Sequence, residues 1–99
     1  MKTSMAIQIL PNMGSDGETV RVVDEVIACI RESGLNYYVG PFETAVEGDD
    51  LHELTRLMEA CIRTAAEAGS EKVSAYVKLV YKPEGSILTI HEKVAKHHE

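Results

Sequence analysis

The spacing of hydrophobic positions along the chain switches between two and three-to-four, and each switch marks a new element. Met5-Ala-Ile-Gln-Ile-Leu10 alternates apolar with mixed side chains and stops at Pro11, which predicts a strand. Asn12 to Glu18, with its Asn, Gly, Ser and Asp, reads as a loop. From Thr19 the period lengthens: Val20, Val23, Ile27 and Ile30, joined by Val26, share one face of an amphipathic helix. Gly34 follows Arg31-Glu32-Ser33 as a helix-terminating glycine. Asn36 to Gly40 and Phe42 to Glu47 are two short β-rich runs meeting at Gly40-Pro41, where a proline without an N–H marks a corner or edge bulge. Gly48 ends the second run, and Asp49 or Asp50 caps a helix whose apolar stripe is Leu51, Leu54, Leu57, Met58, Cys61, Ile62 and Ala65. Ala68-Gly69-Ser70 stops that helix. Val73 to Tyr81 is the longest strand, Lys82-Pro83-Glu84-Gly85 a turn, and Ser86 to about Lys96 predicts a short final helix with Ile87, Ile90 and Val94 on one side.

The order β-α-β-β-α-β, with right-handed crossovers, interleaves two halves into a four-stranded antiparallel sheet with both helices on one face. This predicts an α+β fold of ferredoxin-like class in one domain spanning residues 1–99, plus the short C-terminal helix. Strand alternation then assigns faces. Met5, Ile7 and Ile9, with Val73, Ala75, Val77, Leu79 and Tyr81, should meet the helices, together with Tyr37, Phe42, Thr44 and Val46. Gln8, Tyr38, Glu43, Glu47, Tyr76 and Lys78 should stand on the open face among Ala6, Leu10, Ala45 and Val80. Such a face is apolar enough to invite a second subunit, over which a pocket of aromatics, carboxylates and amides could close. The plainer reading makes Glu43, Glu47 and Lys78 cross-strand ion pairs on a solvated sheet.

Composition narrows the partners. With 44% apolar and 26% charged residues the chain is an ordinary globular sequence, and sixteen acidic against ten basic side chains leave a net charge of −6. Nucleic-acid affinity needs clustered Lys and Arg, so no nucleic-acid partner is expected. Met5 to Pro11 is short for a signal segment and far short of a membrane span, so a cytoplasmic protein without membrane insertion is expected. The two cysteines, Cys29 and Cys61, lie near or within the helix stripes and read as small buried hydrophobes, a redox pair being the alternative. His52, His91, His97 and His98 lack metal-ligand spacing, so no metal and no cofactor are expected. Gly14-Ser-Asp-Gly17 lacks the ending of a phosphate loop; Ser15 with Glu18 suits a capping box or plain loop. RNA-recognition motifs share the element order, but their third strand is basic and aromatic, whereas this one reads Phe-Glu-Thr-Ala-Val-Glu. With no nucleophile near a His in sequence, and only Glu43 with Glu47 as a carboxylate pair, no catalytic residue is assigned and an enzyme is not expected.

The segment Tyr38-Val-Gly-Pro-Phe-Glu-Thr-Ala-Val-Glu-Gly48 resembles the signature of the thiamine-binding protein family that includes YkoF. There a Gly-Pro corner precedes Thr and then Glu-Gly ahead of the second helix, here Gly40, Pro41, Thr44, Glu47 and Gly48. The opening Ala6-Ile-Gln-Ile-Leu-Pro11, Tyr76-Val-Lys78 and Glu92-Lys-Val94 agree, so the likeness covers nearly the whole chain. It implies a ferredoxin-like homo-oligomer, dimer or tetramer, that binds thiamine or its hydroxymethylpyrimidine moiety and is linked to thiamine-precursor uptake or homeostasis. The alternative is a non-catalytic regulatory or oligomerisation module with no small-molecule ligand. The resemblance, with aminopyrimidine and thiazolium chemistry, assigns Glu47 to the exocyclic amine, Thr44 and Gln8 to polar contacts, and Tyr38 or Tyr76 to stacking. Alternation sets Thr44 opposite Glu47, and Lys78 is expected to pair with Glu43 or Glu47.

Overall fold

A computed structural model describes residues 1–97. The elements run β1 (Thr3–Pro11), α1 (Asp16–Glu32), β2 (Asn36–Val39), β3 (Thr44–Gly48), α2 (Leu51–Glu67), β4 (Val73–Tyr81) and α3 (Ile90–Val94), closed by a 3-10 turn at Ala95–His97. The strands order as β2-β3-β1-β4, every neighbouring pair antiparallel. With α1 and α2 packed on one face, this is the ferredoxin-like fold that the element order predicts. His98, grouped above with the C-terminal histidines, lies outside the described residues.

Alternation in the sheet is as read from the sequence. Met5 stands between Val46 and Leu79, and Ile7 between Thr44 and Val77, on the helix side; Ala6 stands between Ala45 and Lys78 on the other. The core joins Met5, Ile7, Ile9 and Val46 to Val22, Val26 and Ile30 of α1 and to Leu54, Leu57, Cys61 and Ala65 of α2. Each Val, Leu, Ile or Met side chain so removed from water contributes roughly 1.5–3 kcal/mol.

Several boundaries differ from the expectation. Helix α1 begins three residues earlier than Thr19, because the Ser15 side chain accepts the Glu18 N–H at 3.2 Å and so starts the helix at Asp16. Val20 is 58% exposed because the row that packs inward is Val22, Val26 and Ile30, with Val23 and Ile27 on its flank. Gly34 (φ +78°) and Gly69 (φ +116°) end the two long helices in the left-handed region, which side chains disfavour. The final helix is shorter than Ser86–Lys96. It starts at Ile90 behind a Thr89–Glu92 capping box, whose Thr89 N–H holds the Glu92 carboxyl below its ordinary range. Leu79 and Tyr81, expected against the helices, are exposed where β4 outruns their cover. Among the described residues, no helix is long and apolar enough to cross a membrane.

Candidate functional site

The strands of the sheet are unequal, and that inequality makes a site. β1 continues to Pro11, but its register with β3 ends at Ile7↔Thr44, and β2 ends at Val39. Between them the Gly40-to-Glu43 corner turns away from the sheet. Gly40 is required there: its N–H donates to the Glu43 carbonyl at 3.0 Å, and a Cβ on it would stand 2.7 Å from that oxygen. Where the corner leaves β1, a hollow of about 230 Å³ opens beside α1. Its apolar wall is Val23, Ile27 and Ile30 of α1 with Val39, and its polar lining includes Gln8, Glu43 and Thr44.

Two features equip this notch for a polar flat ring. The Thr44 residue is only 7% exposed, and among the described residues its hydroxyl has no hydrogen-bond partner. The second is backbone. Just past β1, the Asn12 N–H donates to the Lys72 carbonyl, and the unbroken register from Pro11↔Val73 to Thr3↔Tyr81 makes the even-numbered residues of β1 those that bond β4. Odd residues therefore face β3. Ile9 is the next odd residue beyond Ile7, so its N–H and C=O point to the side where the ladder has ended.

Phe42 is a correction. Alternation through a strand starting at Phe42 sends it to the core, yet it is 80% exposed, because the corner extends to Glu43 and β3 begins at Thr44. It lines the hollow with Pro41. The Gly40-Pro41 corner was the available signal, since the residue after such a corner need not share the strand's alternation.

The five residues singled out from the sequence divide between two faces. Thr44 lies on the helix side. Gln8, Tyr38, Glu47 and Tyr76 belong to the open face, and of these Gln8 also borders the notch. Tyr38 on β2 and Tyr76 on β4 are three strand spacings apart, about 14 Å, so they cannot clasp one ring between them. Lys78 pairs with Glu43 at 3.1 Å in an exposed contact. Pairs of that kind contribute little, so Glu43→Gln should change the urea-unfolding free energy by less than about 1 kcal/mol.

Glu47 is on the open-face register but only 2% exposed, because the C-terminal segment folds back over it. Asn36 Nδ2 donates to its Oε1 at 2.7 Å, and the Ile90 N–H donates to its Oε2 at 2.7 Å. The carboxylate thus satisfies an otherwise unpaired N–H at the start of α3. Among the described residues no cation lies within ion-pair distance of it. Nothing near Glu47 in sequence announces this use, since Ile90 is 43 residues away. Among the described residues, no group of three or more His, Cys, Asp or Glu could hold a metal ion.

Fold and notch define a small ferredoxin-like α+β protein with a partly apolar recess between its first helix and the end of β1. The chain belongs to the thiamine-binding protein family, whose profile, described as "Thiamine-binding protein", matches residues 5–98. It is 40% identical over 97 residues to UPF0045 protein CPE1503 of Clostridium perfringens, covering 95% of each chain. Among solved structures it is similar to a domain of unknown function, DUF77, from Bacillus cereus (TM-score 0.86, 31% identity, 98% of this chain and 90% of that one). It is also similar to TM0486 of Thermotoga maritima, described as a proposed thiamine biosynthesis/salvage protein (TM-score 0.82, 30% identity, 98% and 99% covered).

Proposed function

We propose that this protein binds thiamine, or its hydroxymethylpyrimidine moiety, in the notch beside α1 without transforming it, and so serves thiamine-precursor uptake or homeostasis. The observation that carries the reading is the coincidence in one recess of a Thr44 hydroxyl with no partner among the described residues and the edge of β1 at Ile9, beyond its pairing with β3. An aminopyrimidine displays a ring-nitrogen acceptor beside an exocyclic amine donor. A strand edge displays an N–H and a C=O side by side, which is the matching pair. Thr44 and Gln8 supply the further polar contacts.

Size supports one ring inside rather than two. Sites for drug-sized ligands run to roughly 300–1,000 Å³, above the 230 Å³ of this hollow. The pyrimidine goes in, and the thiazolium stays at the mouth. There Phe42 offers an aromatic face and Glu43 a carboxylate to the cation. In this reading Glu47 acts by holding α3, and Tyr38 and Tyr76 serve the open face.

Isothermal titration with thiamine and with hydroxymethylpyrimidine tests it. Wild type should bind in about the micromolar range, and Thr44→Val should weaken binding tenfold or more, which is about 1.4 kcal/mol. Gly40→Ala, which forces the corner outward, should weaken it at least as much. If Thr44→Val binds normally while Glu47→Gln does not, the ligand sits on the open face instead.

A second reading has its own observation. β4 is an edge strand exposing Tyr76, Leu79, Val80 and Tyr81, and Leu10 and Tyr38 add to the apolar surface of the sheet. Edges of that kind pair unless protected. The homo-oligomer, dimer or tetramer, would form there, and a module without a ligand would need nothing more. Light scattering of wild type against Val80→Lys checks assembly. An oligomer silent to every pyrimidine would favour this second reading.

A further inference from the structure

The two cysteines lie on neighbouring helices of one layer. Cys61 of α2 is fully buried in the core cluster, and Cys29 of α1 is half-buried and packed against that cluster. Cys29 also lines a groove between the helices with Leu57 and Ala60. Those residues flank the patch over which a helical side chain at position 61 leans, because such side chains tilt toward the preceding turn. Both thiols therefore face the α1–α2 contact. Consistent with that, burial first and then the Cys29 thiol push the Cys61 thiol up to about 12.

The backbone separation suits a bond. Packed helix axes lie about 8–10 Å apart, and each Cα sits about 2.3 Å from its own axis. Facing Cα atoms are then about 3–5 Å apart, and the wider spacings in that range reach the roughly 4.4–6.8 Å that disulfides span. Access is unequal. The groove, whose walls include Glu32, Glu53 and Arg56, brings solvent to Cys29, whereas Cys61 is sealed.

We propose that Cys29 and Cys61 are an oxidant-responsive pair that closes to an interhelix disulfide when a peroxide enters this groove. The Cys29 sulfur attacks one peroxide oxygen and the O–O bond breaks. The departing hydroxide leaves as water with the thiol proton, and Cys29 becomes a sulfenic acid. The Cys61 sulfur then attacks the Cys29 sulfur, the S–S bond forms and the S–O bond breaks. The second hydroxide leaves as water with the proton of Cys61. Two thiols are oxidised by two electrons and one peroxide is reduced to two waters. A thiol reductant reverses the change. Cys61, protonated and enclosed, does not react until Cys29 has been oxidised.

The test is hydrogen peroxide added to the reduced, full-length protein, followed by alkylation in denaturant and mass spectrometry. Wild type should lose both alkylation sites together, give a cross-linked peptide pair from one chain, and regain both sites after reductant. Cys29→Ser should leave Cys61 fully alkylatable, while Cys61→Ser should leave Cys29 as sulfenic or higher acid. The thermal midpoint of oxidised wild type should rise, which separates a formed cross-link from mere damage. Oxidation of wild-type Cys29 beyond the sulfenic acid with Cys61 still alkylatable would overturn the proposal. So would cross-links joining only different chains, or no oxidation at peroxide levels that consume free cysteine.

Discussion

Replacing Glu47 by Ala should lower stability by about 2 kcal/mol and release the C-terminal segment. The substitution leaves two donors without their acceptor, Asn36 Nδ2 and the Ile90 N–H, both now bonded at 2.7 Å. The buried Ile90 N–H left unsatisfied costs about 1–3 kcal/mol, the Asn36 amide on an exposed residue turns to water and costs less, and relief from burying a charge offsets part of the sum. Urea unfolding measures the total. Limited proteolysis locates it, since cleavage beyond Pro83 should accelerate before the sheet itself is attacked. Glu47→Gln separates the contributions: its amide oxygen can accept from one donor, but its NH2 then faces the other. It should fall between wild type and Glu47→Ala. Equal stability of all three proteins would mean that α3 is not held by this carboxylate.

Alkaline pH should destabilise the protein through Cys61, by on the order of 4 kcal/mol between pH 9 and 12. Burial, with the neighbouring Cys29 thiol, raises the folded-state value from 9.0 to about 12. Above pH 9 the unfolded chain releases this proton while the folded chain retains it, so unfolding gains free energy with each further pH unit. One unit corresponds to 1.36 kcal/mol, and three units to about 4. The contribution is intact below pH 9 and is lost as pH climbs toward 12. Tyrosines and lysines titrate in the same window, so the informative quantity is the difference between wild type and Cys61→Ala. The variant should begin less stable, through its smaller core side chain, and then decline less steeply. Parallel curves for the two would show that Cys61 ionises as readily in the folded chain as in the unfolded one.

Most of the architecture was legible in the sequence because it depends on local periodicity. The period-two runs at Met5–Leu10 and Val73–Tyr81 gave the pairing faces of β1 and of β4 as far as Val77, and the stripe from Leu51 to Ala65 located α2, with Asp50 of the two candidate caps in use. Val20 misled because apolar spacing of three and four fits two adjacent faces of the same helix. Only the packing of α1 on the sheet and α2 distinguishes Val22-Val26-Ile30 from its neighbours. Phe42 misleads because the Gly40 corner closes only at Glu43, so a β-rich run that begins at Phe42 enters the strand two residues late. Family membership, carried by the Gly40-to-Gly48 motif, was legible as well.

Sequence alone determined the element order, the ferredoxin-like topology, the two faces of the sheet and the helix terminators Gly34 and Gly69. Each of these depends on residues within a few positions of one another. Tertiary structure decided what those faces do. The notch exists because β1 outruns β3 and β2, and ladder length is known only once strands are paired. Glu47 is enclosed because a segment 43 residues away settles over the open face. Cys29 and Cys61 became neighbours through the packing of α1 on α2. Periodicity directs a side chain to a face, but what covers that face depends on chain segments remote in sequence, and no local pattern encodes their meeting.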